Sequence, residues 1–210
     1  MGNWIQVGDD IDGTIIDGQT GRSVALSGDG KTLLVSTPLA NSGGDAQGTA
    51  GVIQSYSIDI SNNTWESDGT RGKIAGVNGD YFDAVSISDD GSVMVVGGIG
   101  MNDSKGGFDI YKKLFDESGN VNWTYKNGLI GPQESSFYGH AIKLSGDGKT
   151  IIVGAPKYTY DEDAKSGAFW INTIGSSIDS DDFEITNTYS LAGYVNNEYG
   201  TRNAIDLSDD

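Results

Sequence analysis

The chain has 210 residues, a formal net charge of −17 and no cysteine. Without cysteine, neither a disulfide framework nor a thiolate metal site can form. Only 13 basic residues are present and they are scattered, which argues against a nucleic-acid-binding protein. No run approaches the ~18 apolar residues of a membrane helix, which argues against membrane insertion. The N-terminus has no signal-peptide pattern.

One phrase recurs along the chain, at 26–38, 87–98 and 144–156, and it begins again at 207–210. Its aspartates are Asp29, Asp90, Asp147 and Asp210, with spacings of 61, 57 and 63 residues. Two further Gly-containing markers keep the same phase. A regular spacing of this kind identifies an internal repeat, here of roughly 60 residues.

Each unit contains the patterns of four strands in chain order. A short alternating segment is followed by an Asp-Gly turn and a continuous apolar run, as in a hairpin. A third strand follows a glycine, and a fourth carries an aromatic residue. The four strands are predicted at 23–27, 33–35, 52–56 and around Trp65; then at 85–87, 93–96, 108–112 and around Trp123; then at 142–144, 151–153, 168–172 and around Phe183.

The pattern predicts an all-β fold of four-stranded antiparallel blades, either a β-propeller or a propeller-like arrangement with an incomplete ring. The predicted divisions are a last strand of a preceding blade at 1–13, blades at 14–76, 77–131 and 132–193, and the first strand of a further blade at 194–210. Three blades cannot close such a ring. The chain is therefore a fragment of a longer array, a unit that assembles with copies of itself, or a non-propeller packing of sheets.

Two stretches carry a resemblance to a known family. The segment "WIQVGDDIDG" at 4–13 and the run from Tyr138-Gly139 through "AIKLSGDGKTIIVGAP" resemble FG-GAP-type repeats. They are closest to the long S-x-D-G…G-A-P repeats of microbial and viral surface proteins. The resemblance implies a propeller of the integrin α-subunit kind, used in adhesion or recognition. The second unit departs from the pattern, since Phe82 is not followed by glycine.

In the integrin-type members the repeated turn holds calcium. Ca²⁺ requires six to eight oxygen ligands, but each turn here offers one or two carboxylates beside a serine or lysine. We therefore expect no cofactor in the turns, with calcium left as an alternative elsewhere. The turn residues are predicted to shape the hairpins through side-chain to backbone hydrogen bonds: Asp29 and Gly30, Asp90 and Gly91, and Asp147 and Gly148.

The loop at 158–167 holds the densest acidic cluster. Asp161, Glu162 and Asp163 are candidate metal ligands, and Tyr158 and Tyr160 beside them are candidate ligand-binding residues for a glycan. The alternative for all five is a solvated loop. His140 is the only histidine, at a repeat position that other units fill with Arg22 and Asp83. That variability predicts a surface residue, and no catalytic residue is assigned.

The leading functional prediction is a non-catalytic adhesion or recognition module that presents variable loops to a cell-surface protein or glycan. The alternative is a structural subunit of a virion, fibre or filament, completed by strand sharing and self-association through edge strands. A glycoside hydrolase is the third hypothesis, and the chain is predicted not to be an enzyme. An extracellular surface or a virion is the favoured location.

Overall fold

The computed structural model of the chain describes residues 5–161, 164–175, 178, 184–192 and 205–207. The regular secondary structure of the described residues is almost entirely β, in three larger antiparallel sheets whose four principal strands neighbour one another in chain order, and one two-stranded ribbon. This confirms the predicted all-β fold of four-stranded antiparallel blades. The blade boundaries drawn from the repeat stay a prediction.

The strands follow the predicted hairpins closely. The first sheet contains β1 (Val24–Leu26), β2 (Thr32–Thr37), β3 (Val52–Asp59) and β4 (Thr64–Ser67), with β5 (Lys73–Ala75) also paired to β3. The second contains β6 (Phe82–Ile87), β7 (Val93–Gly98), β8 (Gly107–Phe115) and β9 (Val121–Ile130). The third begins with β10 (Ala141–Leu144) and β11 (Thr150–Ala155). After a ribbon of β12 (Thr159–Asp161) and β13 (Ala164–Lys165), it ends with β14 (Ala168–Ile174) and β15 (Ile185–Ala192).

Helical structure in the described residues is limited to a 3-10 turn at Gly69–Gly72 and a one-turn segment at Met101–Ser104. The 3-10 turn divides the outer strand of the first sheet into β4 and β5. Asp68, just before this turn, accepts hydrogen bonds from the hydroxyls of Ser55 and Ser57 on β3. The predicted last strand of a preceding blade at 1–13 stays a prediction, and its described part, residues 5–13, forms no strand. Gly8 instead packs against the backbone of Trp65.

Each face of the middle sheet packs against a neighbouring sheet. One apolar cluster lies between the first and second sheets and includes Leu34, Ile53, Met94 and Trp123. The other lies between the second and third sheets, around Phe108. Because apolar burial contributes about 25 cal/mol per Å², these two junctions supply most of the stabilisation that holds the blades together.

The Asp-Gly hairpins are hydrogen-bonded internally and to one another. In each hairpin a serine hydroxyl donates to the aspartate two residues later: Ser27 to Asp29 at 2.6 Å, Ser88 to Asp90 at 2.7 Å and Ser145 to Asp147 at 2.6 Å. The following glycines, Gly30, Gly91 and Gly148, have φ values of 70°, 68° and 72°. The backbone N–H of Asp29 donates to the carbonyl of Asp89, and the N–H of Asp89 donates to that of Gly146. The hairpins of adjacent sheets are therefore linked in a series, in which each hairpin donates a backbone N–H to a carbonyl of the next hairpin along the chain.

Replacing Ser88 by alanine should destabilise the protein by about 1–3 kcal/mol. The Ser88 hydroxyl is buried, donates to Asp90 and accepts from the backbone N–H of Val93 at 3.0 Å, so its loss leaves a buried donor without a partner. Ser92→Ala is the matched control, because the Ser92 hydroxyl only donates to Asp90. Urea denaturation should show a small effect for Ser92→Ala, and equal losses in the two variants would contradict the interpretation.

Asp109 on β8 should make folding stability depend on pH. Burial, and to a lesser degree the charge of Asp80, raises the pKa of Asp109 to about 6. Because the proton is held more tightly in the folded state, stability falls as pH rises from about 4 to about 6 and then levels off. Asp109→Asn should therefore stabilise the protein by up to about 3 kcal/mol above pH 7 and by almost nothing near pH 4.

Asp147→Asn is the control of opposite sign for this experiment. The hydrogen bond from Ser145 lowers the pKa of Asp147, so its carboxylate supports folding above the ordinary pKa of an aspartate. Thermal melts across pH 4–8 should show Asp109→Asn gaining stability relative to the wild type as pH rises, and Asp147→Asn losing it. A pH-independent effect of Asp109→Asn would contradict the assignment.

Candidate functional site

A central channel lies where the first strands of the three sheets come together. It is a cavity of about 530 Å³ lined by β1, β6, β10 and residues 205–206. The hydroxyl of Ser23 accepts a hydrogen bond from the N–H of Val85, and that of Ser86 accepts one from the N–H of Leu144. These bonds fix the first strands side by side. The channel is the concave, strand-lined space in which propeller-type folds can present polar groups.

Residues 205–207 lie beside β10 at the channel wall, and the predicted first strand of a further blade at 194–210 stays a prediction. The Lys143 ammonium on β10 lies 3.3 Å from a carboxylate oxygen of Asp206. A hydrogen bond from the N–H of Leu207, and then the contact with Lys143, lowers the pKa of Asp206. The channel wall thus holds one solvent-exposed ion pair among its apolar side chains.

Three chemically different residues lie at or just before the start of the first strands, at the end that we call the channel mouth, although none of them is among the residues that line the cavity. Arg22, Asp83 and His140 occupy the same position in the three repeats, shortly before or within β1, β6 and β10. Nε of Arg22 lies 3.6 Å from Oδ2 of Asp83. The Asp83 side chain is only 6% exposed and that of Arg22 is 44% exposed. Adjacent blades therefore bring a cation and a buried carboxylate together at this channel mouth.

His140 continues this series on the third sheet. Its Nδ1 atom is shielded from solvent, as is Oδ1 of Asp83. The His140 ring lies 6.4 Å from the Phe137 ring. The Lys157 ammonium lies 3.8 Å from the centre of the Phe137 ring, over its face. His140 itself is half-buried, and the sequence-based expectation that it is a surface rather than a catalytic residue stays a prediction.

The backbone that leads into the channel mouth is conformationally unusual. Gln19 and Phe137, three residues before Arg22 and His140, both have a φ of 60°. Positive φ values cost energy for residues other than glycine and are common at functional sites. The Gln19 side chain also accepts a hydrogen bond from Arg22, at 3.3 Å. The entry loops therefore hold the three mouth residues in fixed positions.

The electrostatics of the mouth follow from burial. A carboxylate with so little exposure is costly unless a cation compensates its charge, and Arg22 provides that compensation for Asp83. The arrangement places an acceptor, a cation and an imidazole along one rim. This set can bind a polar ligand and can move a proton at it.

The residues predicted from the repeat lie elsewhere. The turn residues Asp29, Asp90 and Asp147 are in the hairpins at the other end of the first strands. Their carboxylates accept hydrogen bonds within the turns; that of Asp29, for example, accepts from the N–H of Lys31 at 2.9 Å. Among the described residues, no group of three or more His, Asp or Glu side chains could hold a metal ion.

The loop candidates are only partly described. The Tyr158 ring packs at 5.3 Å, edge to face, against Trp170 in the second apolar cluster. Tyr160 and Asp161 lie in β12, while Glu162 and Asp163 fall outside the described residues. The glycan and metal assignments for this loop stay predictions. No helix in the described part of the chain is long and apolar enough to span a membrane.

Comparison with known proteins supports the fold and corrects the family. No family model and no curated protein sequence matches the chain. A candidate 6-phosphogluconolactonase from Bacteroides uniformis aligns with a TM-score of 0.50 and 14% identity, over 82% of this chain and 41% of that one. Sqt1 from Chaetomium thermophilum aligns with a TM-score of 0.52 and 16% identity, over 85% of this chain and 38% of the other. A periplasmic gluconolactonase from Pseudomonas aeruginosa aligns at a TM-score of 0.44 and 12% identity, over 80% of this chain and 56% of the other.

These similarities overturn several predictions. The solved structures that share the fold are lactonase-like and Sqt1-type propellers, so the assignment to FG-GAP repeats of the integrin kind is wrong. The prediction of a non-catalytic adhesion module at a cell surface, and with it the prediction that the chain is not an enzyme, is contradicted because these propellers include a candidate hydrolase. The chain spans about two fifths of the length of the first two matched structures.

Proposed function

We propose that the chain is the three-bladed part of a propeller hydrolase whose catalytic site lies at the channel mouth, on Arg22, Asp83 and His140. The observation that carries this proposal is the contact between Arg22 and the buried Asp83 across two adjacent first strands. Burying the Asp83 carboxylate costs free energy even though the partly exposed Arg22 pairs with it, so a pair at this position is suited to a chemical role.

The neighbouring position of His140 supports a division of roles. The repeat places Asp83 and His140 on adjacent first strands, as it does Arg22 and Asp83. A carboxylate beside an imidazole orients the ring and stabilises its protonated form. In the proposed site His140 is the general base, Asp83 orients it, and Arg22 stabilises negative charge that develops on the substrate.

A cyclic ester is the proposed substrate class, in line with the description of one similar propeller as a candidate lactonase. His140 takes a proton from a water molecule whose oxygen attacks the ester carbonyl carbon. The carbonyl electron pair moves to oxygen, and Arg22 stabilises that oxyanion. When the intermediate collapses, the ring C–O bond breaks and the departing ring oxygen takes the proton from His140. The product is an open-chain hydroxy acid, so one water is consumed per ester opened.

The test is hydrolysis of δ-gluconolactone, with the spontaneous opening subtracted. His140→Gln and Asp83→Asn should each lower kcat/KM by about 10²–10⁴-fold, the usual contribution of general acid–base catalysis. Arg22→Gln should lower kcat more than it raises KM, because the oxyanion exists only in the transition state.

Arg71→Gln is the matched control for Arg22. Arg71 also pairs with an aspartate, Asp116, and its side chain is 55% exposed, but it lies away from the channel. The control should hydrolyse lactone at the wild-type rate. Wild-type rates no higher than background, or equal losses in the Arg71 and Arg22 variants, would overturn the proposal.

A further inference from the structure

The outer face of the first sheet carries exposed apolar side chains. At the equivalent positions of the second sheet the side chains are buried. Val24 and Leu26 on β1 correspond in the repeat to Val85 and Ile87 on β6, which pack against the first sheet. The β6 pair is 6% and 7% exposed, whereas Val24 and Leu26 are 59% and 56% exposed. In the second and third repeats these positions face the preceding sheet, whereas among the described residues no sheet covers this face of the first one.

The same face continues across β2 and β3. Leu33 and Val35 pair with Leu26 and Val24 and therefore share their side of the sheet. Tyr56, opposite Leu33, extends the face outwards on β3. Because the internal junctions bury this same set of positions, the face has the composition of a blade junction rather than of a solvated surface.

The outer face of the third sheet is the complement at the other end of the chain. Phe169 and Leu191 pair across β14 and β15, with Ile171 and Tyr189 beside them on the same side. Tyr189 and Leu191 are 50% and 43% exposed, and the Tyr189 ring lies 6.3 Å from that of Phe169. In the repeat this side of a sheet faces the following sheet. The chain thus presents one member of a blade junction at each end of its arc.

The hydrogen bonds between hairpins also run in one direction, from the first sheet towards the third. Each hairpin donates a backbone N–H to a carbonyl of the next, from Asp29 to Asp89 and from Asp89 to Gly146. If the series continued beyond the first sheet, the carbonyl of Gly28 would accept the next hydrogen bond. If it continued beyond the third sheet, the hairpin at 145–149 would donate the next one. The polar edges of the two outer faces therefore complement each other as the apolar parts do.

We propose that a second copy of this chain covers the outer face of the first sheet with the outer face of its own third sheet. The two faces differ, so the contact is heterologous, and a head-to-tail pair can close into a ring. Two copies supply six sheets, within the range of about four to eight that propellers use. One copy covers 41% of the length of a similar propeller chain, so two copies would cover about four fifths of it.

This inference does not depend on the proposed hydrolase. It predicts that sedimentation equilibrium of the purified chain, from about 1 to about 100 µM, gives a mass twice the 22.1 kDa of one chain. Because each copy carries a net charge of −17, added salt should strengthen the association by screening repulsion. The His140→Gln variant should assemble like the wild type.

Two variants separate a head-to-tail contact from other kinds of association. Leu26→Glu on the first sheet and Leu191→Glu on the third should each weaken self-association by about 100-fold or more, because a carboxylate would enter an apolar junction. Mixing the two variants should restore a dimer, since each retains the face that the other has lost. Ile60→Glu is the control, as Ile60 is 73% exposed and follows the end of β3 rather than lying in a strand of either face.

Both leucines are substantially exposed within one chain, so the variants should keep the wild-type circular dichroism spectrum. A wild-type chain that stays monomeric at the highest concentration overturns the proposal and leaves the face to a different partner. A dimer that Ile60→Glu disrupts as strongly as Leu26→Glu, or a mixture of the two leucine variants that stays monomeric, overturns it as well.

Discussion

The structure depends on one constraint: a four-stranded sheet with apolar side chains on both faces must be covered on both. The middle sheet meets it within the chain, because its two faces are covered by the first and third sheets. The remaining features follow from this packing. Sheets that stack face to face bring their first strands together, bring their hairpins into hydrogen-bonding contact at one end, and leave a channel lined by those first strands.

The channel mouth shows how a repeat protein can build an asymmetric site. A strictly repeated sequence would place identical residues around the axis, and identical charges there would repel one another. The chain instead places Arg22, Asp83 and His140 at one repeat position, so that adjacent blades contribute a cation, a carboxylate and an imidazole. The Arg22–Asp83 contact of 3.6 Å shows that this position brings side chains of neighbouring blades within reach of each other. Divergence between repeats at this position is therefore the feature on which the proposed site depends.

Much of the fold could be read from the sequence. The hairpin at Ser88–Val93 and its counterparts combine an Asp-Gly turn with alternating and continuous apolar strands, and such local signals determine antiparallel meanders. The site could not be read in the same way. His140 was interpreted as a surface residue because its position varies, but the direction in which it points depends on packing between sheets about 60 residues apart. The division of the first sheet's outer strand into β4 and β5 could not be predicted from the sequence either. It depends on hydrogen bonds that the Ser55 and Ser57 hydroxyls donate to Asp68 across the sheet.

Assembly and chemistry are connected through the channel. Catalysis by a carboxylate, a cation and an imidazole is strongest where water is excluded and the charges are fixed. In a single copy the channel is bounded by three first strands and residues 205–206, and the side opposite them is formed by no described residue. A junction on the exposed Val24 and Leu26 would place further blades on that side and would enclose Arg22, Asp83 and His140 more completely. The same apolar face that demands a neighbour would thus help to create the low-dielectric environment in which the mouth residues can act.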